Sequence, residues 1–464
     1  MTDHNGSITG IVMESGTEQS RISFCNNIST VSGSYVLYWM RNSHRAVMNP
    51  SLNLAVDIAN TLRLPVLVYC QPDHDRQCPC MRQYRFMIEG LCDTRDQLMD
   101  KGIAFMVDSV AAGIDLSAVS SGAAALVTDA GYLKHEREAL EHAIKVSVCP
   151  LISVESPVIV PLASLSGKEE YAASTLRPKI KKILHAYLNP APDPVPQISS
   201  LKIKLPGSAF KGEQHLLTGT GPDPSVGAVR GVRGGYRCAR RLLDDFVTRK
   251  LASYDKDRND PDLDGTSLLS PYLHFGQISP VEAALAVIDS EDENAEKFLD
   301  ELIVRRELAF NFVRFNENYG NIKSLQSWAL DTLMLHSADK REYIYSRDEF
   351  ENSATHDPYW NAAQNQLVSE GIIHNYMRMY WGKKIIEWTV SPENAYEYMV
   401  YLNNRYALDG SDPNSYAGIA WCFGKHDRPW AQRQVFGKVR YMNDRGLKRK
   451  FSMRTYLEKH LHAK

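Results

Sequence analysis

The chain has 464 residues, 44% of them hydrophobic and 23% charged, with 53 lysines and arginines against 55 acidic residues. That composition is ordinary for a globular protein and excludes wholesale disorder, a collagen-like repeat and a disulfide-stapled scaffold. The formal charge of −2 excludes a uniformly basic nucleic-acid coat but leaves room for a local basic patch.

The length exceeds that of one ordinary domain, so two or three are expected. Residues 1–20 are polar and expected to be flexible. The start, Met1-Thr2-Asp3-His4-Asn5-Gly6, has neither a basic n-region nor an apolar h-region. No run approaches the ~18 apolar residues of a membrane span. A cytoplasmic protein is expected, or a nuclear one in a eukaryote, without secretion or membrane contact. Of the eight cysteines, several sit in apolar runs such as Val68-Tyr69-Cys70 and Val146-Ser147-Val148-Cys149, which reads as reduced, buried thiols. Cys78-Pro79-Cys80 near His74 is the one metal-like cluster, but it lacks a second pair at zinc spacing, and no metal is assigned.

Between residue 34 and about 150, β-rich runs alternate with helical ones. The strand candidates are Ser34–Met40, Pro65–Cys70, Ile103–Val107, Ala125–Asp129 and Val146–Cys149. The helical stretches between them are Leu52–Leu62, Arg82–Lys101, Ile114–Ser121 and Tyr132–Ile144. This alternation implies βαβ units on a parallel, Rossmann-like sheet, and the apolar strands imply that both faces are covered. Ligands of such sheets bind beyond the strands' carboxyl ends, which puts Trp39, Met40, Arg41 and Asn42 near a candidate pocket. No G-x-G-x-x-G follows the first strand, which argues against a standard dinucleotide site there.

A short helix over Thr175–Leu188 leads into Asn189-Pro190-Ala191-Pro192-Asp193-Pro194-Val195-Pro196, a linker sequence, and the chain reads as irregular to about residue 230. Beyond Gly234 amphipathic helices dominate: Cys238–Leu251, Pro280–Asp289, Glu296–Phe315, Tyr359–Ser369, Gly371–Val390 and Pro392–Asn404. The expected organisation is a flexible start (1–20), an α/β domain (21–185), a linker (186–230) and an all-α domain (231–464).

Thr266-Ser267-Leu268-Leu269-Ser270-Pro271 places three hydroxyls at the start of a helical turn. Hydroxyls and free N–H groups there suit a phosphate, although plain helix capping would use the same residues. With its continuation Tyr272–Pro280, this stretch resembles the flavin diphosphate motif of the photolyase/cryptochrome family. Phe298–Leu308 resembles the family's lesion-contacting helix, and His374-Asn375-Tyr376-Met377-Arg378-Met379 its Asn-x-x-Arg-Met motif. Tyr38-Trp39-Met40-Arg41, the double arginine Arg305-Arg306 and Leu402-Asn403-Asn404-Arg405-Tyr406-Ala407-Leu408-Asp409-Gly410 resemble the class II cyclobutane pyrimidine dimer photolyases.

The resemblance implies a photolyase fold with FAD in the helical domain, reduced and anionic when active. Excited by light, that flavin gives an electron to a dimer flipped out of DNA, because a dimer inside the duplex must leave the stack to meet a buried flavin. An antenna, deazaflavin or folate, is implied in the first domain. The resemblance assigns FAD contacts to Tyr254, Thr266, Ser267, Leu268, Leu269, Ser270, Phe298, Arg305, Asn375, Arg378, Asn403, Asp409 and Gly410. Arg378 and Asp409 are expected to pair beside the ring system, and Asn403, with Asn404 as alternative, to meet the flavin N5. Glu301, Met379 and Trp421 are expected at the lesion, Glu301 as a carboxyl in a dry pocket. Trp381, Trp360 and Trp388 are implied as an electron-hopping series, proximal, middle and nearest solvent, with Tyr380 as a further relay. Without the resemblance, such aromatics are ordinary core.

Between Ala431 and Lys464 stand ten lysines and arginines against Asp444 and Glu458. Arg433, Lys438, Arg440, Arg445, Lys448, Arg449 and Lys450, with Arg428 upstream, are candidate DNA contacts, while a solvated helix face is the alternative. The leading reading is a monomeric, light-driven lyase repairing pyrimidine dimers. A photoreceptor of the same fold without repair activity is the alternative, although such relatives often carry long tails and this chain stops soon after the basic segment. A thermally driven nucleotide-binding enzyme is disfavoured by the missing phosphate loop. Repair of (6-4) lesions is disfavoured because His374 and His426 do not sit in the expected motif.

Overall fold

The computed structural model describes residues 7–72, 80–107, 116–204, 209–212 and 222–461. Its first half is built on a six-stranded sheet of order β1-β6-β5-β2-β3-β4. The strands are β1 Ile22–Phe24, β2 Tyr35–Met40, β3 Val66–Cys70, β4 Ala104–Val107, β5 Ala123–Asp129 and β6 Leu151–Val154. Strands β2 to β6 pair in parallel, and β1 is an antiparallel edge on β6. Every residue of β2 to β6 is buried, as the uninterrupted apolar runs require when helices cover both faces.

Four strand expectations hold, and the fifth is displaced. The helix Lys134–Val146 takes Val146, Val148 is exposed, and the last parallel strand begins at Leu151, after Pro150. Proline suits a position just outside a strand, so the apolar run was read one element too early. The edge strand β1 was not foreseen, being three residues long and largely exposed. The expectation of a loose start also fails in part. Ile8–Met13 is a helix capped by the Ser7 hydroxyl, and it buries Ile8, Ile11 and Val12. Of the Cys78–Cys80 cluster, His74, Cys78 and Pro79 lie outside the described residues, while Cys80 is buried.

The second half is helical from Tyr236 onward. The helix expected over Glu296–Phe315 is continuous from Ala295 but changes to π-helical geometry over Asp300–Arg305. A second π segment covers Phe246–Lys250. Such bulges frequently mark functional positions. Ser327–Leu335, Pro413–Cys422, Asp444–Lys450 and Arg454–His460 are helices without a counterpart in the sequence expectations. Asp412-Pro413 was a legible start signal, because Asp412 accepts from the Asn414 N–H and Pro413 occupies the first turn.

The two halves are tied by polar contacts around the later site. Arg82 donates to the carbonyls of Leu367, Val368 and Tyr406, and the Gln83 amide to those of Asn404, Arg405 and Ala407. Arg177 grips Asp300, in the π segment, through two bonds of 2.8 and 3.1 Å. Glu307 accepts from the Ile159 and Val160 N–H groups, and complete burial pushes its carboxyl up to about 7. Among the described residues, no helix is long and apolar enough to cross a membrane.

Candidate functional site

A cavity of about 860 Å³ opens in the helical half. Its walls are the loop Arg258–Ser270, the π segment with Glu301 and Arg305, the start of the Asn375–Trp388 helix, Asp409, the Pro413–Cys422 helix and the last helix with Tyr456 and His460. That size falls within the roughly 300–1,000 Å³ of cofactor sites. Two wall residues other than glycine carry backbone in the left-handed region, Leu268 (φ 56) and His426 (φ 61). Such conformations persist only where the surroundings over-determine them.

Twelve of the residues expected at flavin or lesion reach this wall. They are Thr266, Ser267, Leu268, Leu269, Ser270, Glu301, Arg305, Asn375, Arg378, Met379, Asp409 and Trp421. Tyr254 and Phe298 do not. They pack on each other (ring centroids 5.5 Å apart) and on Phe246, behind Arg258, whose guanidinium lies over the Tyr254 ring at 5.1 Å. Gly410 also stands back. A Cβ there would come within 2.8 Å of the Asn404 carbonyl oxygen, so its role is close backbone approach. Asn403 is buried away from the cavity wall, and its amide donates to Asn404 Oδ1 at 3.1 Å. Asn404 Oδ1 also accepts from the Ser411 N–H at 3.0 Å, so the two amides hold the loop that presents Asp409.

Two further expectations are corrected. Among the described residues no ion pair joins Arg378 to Asp409; both line the cavity, and Asp409 Oδ1 is buried without a partner. Glu301 is not in a dry pocket. Its side chain is 38% exposed and pairs with Arg258 at 2.8 Å. Arg258 was missed in the sequence because a single arginine in Asp257-Arg258-Asn259-Asp260 reads as an exposed turn.

Several buried polar atoms of the wall have no partner: Arg258 Nη1, His374 Nε2, Asp409 Oδ1 and His426 Nε2. Leaving such groups unmade costs about 1–3 kcal/mol each, so their convergence marks a surface completed by a ligand. His374 Nδ1 accepts from the Tyr376 N–H and caps the Asn375–Trp388 helix, and burial lowers its pKa to about 4. Burial lowers His426 to about 4 as well, and its Nδ1 faces the Tyr171 carbonyl at 2.9 Å. Both imidazoles are therefore neutral near pH 7. Behind Trp421 the buried Lys383 ammonium lies 5.5 Å from the indole and donates to the Cys422 carbonyl, and burial lowers it to about 8. Hydroxyls, a guanidinium and an unpartnered carboxylate around one chamber fit a flavin dinucleotide.

Trp360 stacks on Trp381 with centroids 6.4 Å apart and 8° between planes, and meets Trp388 at 6.5 Å and 64°. The Trp360 indole donates to the Trp381 carbonyl and the Trp381 indole to Gln364. Trp360 is thus the middle member of the three. Trp388 departs from expectation, being only 3% exposed. Tyr380 is buried and donates to Asp357.

Arg428, Arg433, Lys438, Arg440, Arg445, Lys448, Arg449 and Lys450 are all exposed. Arg440 reaches from this surface over the Trp430 and Trp421 rings, at 5.0 and 6.0 Å, and so joins the basic face to the cavity. Beyond the sheet's carboxyl ends, by contrast, Arg41 and Asn42 line a cavity of about 40 Å³, room for one or two waters. The described residues there do not fit an antenna chromophore.

A family model described as DNA photolyase matches residues 36–197. The chain is 47% identical to a deoxyribodipyrimidine photo-lyase of Methanothermobacter thermautotrophicus, over 92% of this chain and 94% of that one. It is 38% identical to one of Arabidopsis thaliana, over 91% and 88%. Its fold matches the crystal structure of an archaeal photolyase from Sulfolobus tokodaii that holds two FAD molecules, with TM-score 0.66, 16% identity, and coverage of 92% and 90%.

Proposed function

The chain belongs to the photolyase/cryptochrome family, and on that premise we propose that it is a light-driven lyase that repairs cyclobutane pyrimidine dimers in DNA, of the class II kind. The observation that carries this reading is the single cavity that gathers Glu301, Met379 and Trp421 with Arg378, Asp409 and the Thr266–Ser270 hydroxyls.

FAD, when bound, supplies the light absorption and the electron. The chain's own residues hold, orient and shield. Thr266, Ser267 and Ser270 offer hydroxyls to the diphosphate. Arg378 and Asp409, unpaired with each other, offer opposite charges to the polar edges of the ring system. Met379 and Trp421 give a flat apolar wall that keeps water from the dimer, and Glu301, within the reach of Arg258, offers a polar contact to its carbonyls. Arg440 and the exposed basic residues around it hold the DNA phosphates, which brings the flipped dimer to the cavity mouth. Trp381, Trp360 and Trp388 carry electrons inward when the flavin must be reduced. A deazaflavin or folate antenna has no place in this reading, since the described residues beyond the sheet's carboxyl ends leave room for only one or two waters.

The test is an absorption spectrum of the purified protein, followed by blue light in the presence of a thymine-dimer oligonucleotide under reducing conditions. Flavin bands with light-dependent recovery of thymine absorbance are the expected result. Flavin bands without recovery would favour the photoreceptor. Failure to bind flavin even after reconstitution would overturn the cofactor assignment.

A further inference from the structure

Trp388 was expected nearest solvent, yet it is 3% exposed, and a second aromatic group covers it. The Tyr345 ring meets it edge-on at 5.8 Å and the His356 imidazole at 4.8 Å. The Tyr345 N–H donates to the Trp388 carbonyl at 2.9 Å, which locks the two residues together. The Tyr345 hydroxyl accepts the His356 backbone N–H at 3.0 Å and lies 2.7 Å from His356 Nδ1. With that accepted bond in place, the phenolic proton is aimed at Nδ1. Tyr343 stacks on the imidazole with centroids 3.7 Å apart and is itself 37% exposed. Ring contact is therefore continuous from Trp388 to solvent.

We propose that Tyr345, with His356 as its proton acceptor, is the terminal electron donor to Trp388. This rests on the tryptophan series of the proposed function. The oxidant is a light-excited oxidised flavin, which leaves Trp388 one electron short and positively charged. One electron then passes from Tyr345 to Trp388, the phenolic O–H bond breaks, and its proton forms an N–H bond at His356 Nδ1. The products are neutral tryptophan, a neutral tyrosyl radical and an imidazolium. A soluble thiolate later returns one electron, becoming a thiyl radical, while His356 returns the proton. The acceptor is what makes the step favourable, because a phenol that loses its electron but keeps its proton is a very strong acid. A tyrosine that only fills space over Trp388 and Phe350 would need no such partner.

The experiment is a blue flash on the flavin-loaded protein, read by transient absorption and electron paramagnetic resonance. In the natural chain a tyrosyl signal should grow as the Trp388 radical decays, more slowly in D2O. Tyr345→Phe keeps the ring but should abolish the tyrosyl signal and prolong the Trp388 radical roughly a hundredfold, the scale of a positioned proton acceptor. His356→Phe keeps the stack on Tyr343 and should slow tyrosyl formation by a similar factor. If a variant fails to load flavin, fluorotyrosine at position 345 should instead shift the hyperfine pattern of the radical. Identical Trp388 decay with and without the phenol, and no tyrosyl signal, would overturn the proposal alone. Absence of any tryptophan radical would overturn the tryptophan series, and this extension with it.

Discussion

Two buried aspartates show how differently the halves of this molecule use the same side chain. Asp129 ends β5 in the crevice where α/β sheets bind ligands. Its carboxylate accepts from the Tyr38 hydroxyl, the Arg41 and Asn42 N–H groups and the Ser51 hydroxyl, at 2.7–3.1 Å. Asp409, in the helical half, is also buried, yet its Oδ1 has no partner. Around Asp129 the first crevice is closed by hydrogen bonds and holds room for only one or two waters. The second site is left chemically unfinished, and that is where a ligand has something to complete. Position in a fold family suggested both crevices; the bonds made by the buried aspartate and the room beside it, about 40 Å³ against about 860 Å³, distinguish them.

The largest expected effect breaks this contrast directly. Asp129→Ala strips the partner from several buried donors and should cost on the order of 3 kcal/mol or more. Asp409→Asn removes a charge that has no ion-pair partner among the described residues and should change stability by less than about 1 kcal/mol, yet release most of the flavin. Urea unfolding of the flavin-free proteins measures the first difference, and flavin absorbance after gel filtration the second. Equal destabilisation by both substitutions would refute the distinction.

Next in size is the tryptophan series. Trp360 touches both neighbours, whereas no ring contact joins Trp381 to Trp388 directly among the described residues. Trp360→Phe keeps an apolar ring but replaces the oxidisable indole. Flavin photoreduction should slow about a hundredfold, a change of about 2.7 kcal/mol in the effective barrier. Steady blue-light reduction with a thiol donor measures it, and a rate within twofold of the natural one would exclude Trp360 from the path.

The α/β half was legible because it depends on period and burial. Tyr35–Met40 and Val66–Cys70 are apolar throughout, and their short length and β-rich residues between helical stretches fit covered strands. The failures there are local: Pro150 moved a strand start, and Ile8, Ile11 and Val12 were too few to outweigh a polar neighbourhood. In the helical half the motif residues of the Thr266–Ser270 loop and the Asn375–Met379 turn were found, because the flavin motifs are contiguous in sequence. Arg258, Tyr456 and His460 were not, since they reach the cavity only after the chain has folded back on itself. The inward turn of Asn403 onto Asn404 was equally illegible. Either amide could have faced a cofactor, and in the fold they bond to each other and, through Asn404, to the Ser411 N–H and the Tyr416 hydroxyl.

Buried histidines sharpen the comparison through pH. His44 in the first half and His374 in the second are both lowered to about 4 by burial. In the unfolded chain each takes up a proton as pH falls through about 6.5, whereas the folded sites resist until about 4. The unfolded state thus binds more protons between these values, so stability falls as pH falls across that window, by about 1.4 kcal/mol per histidine at pH 5.5. His374→Asn retains a side chain that can cap the helix and removes the titration. It should flatten the fall by one histidine's share in urea titrations between pH 7 and 5, and an unchanged slope would show that His374 protonates freely in the folded chain.

The smallest effect concerns the basic face, where exposure limits what any one charge contributes. Lys448 is already engaged by Asp444 at 3.1 Å. Arg440 has no carboxylate partner among the described residues and lies against two indoles, one of them on the cavity wall. A phosphate meeting Arg440 gains a cation that no protein acid competes for, held by ring contacts near the site of flipping. Arg440→Gln should therefore weaken binding of dimer-containing duplex by about fivefold and reduce the salt dependence of log K by about one ion, uniformly across sequences. Lys448→Gln should do less, because the Lys448 ammonium is already shared with Asp444 and offers less to a phosphate. Fluorescence anisotropy across a salt series orders the two, and a larger loss from Lys448 would place the DNA track on the Asp444–Lys450 helix instead of at the cavity mouth.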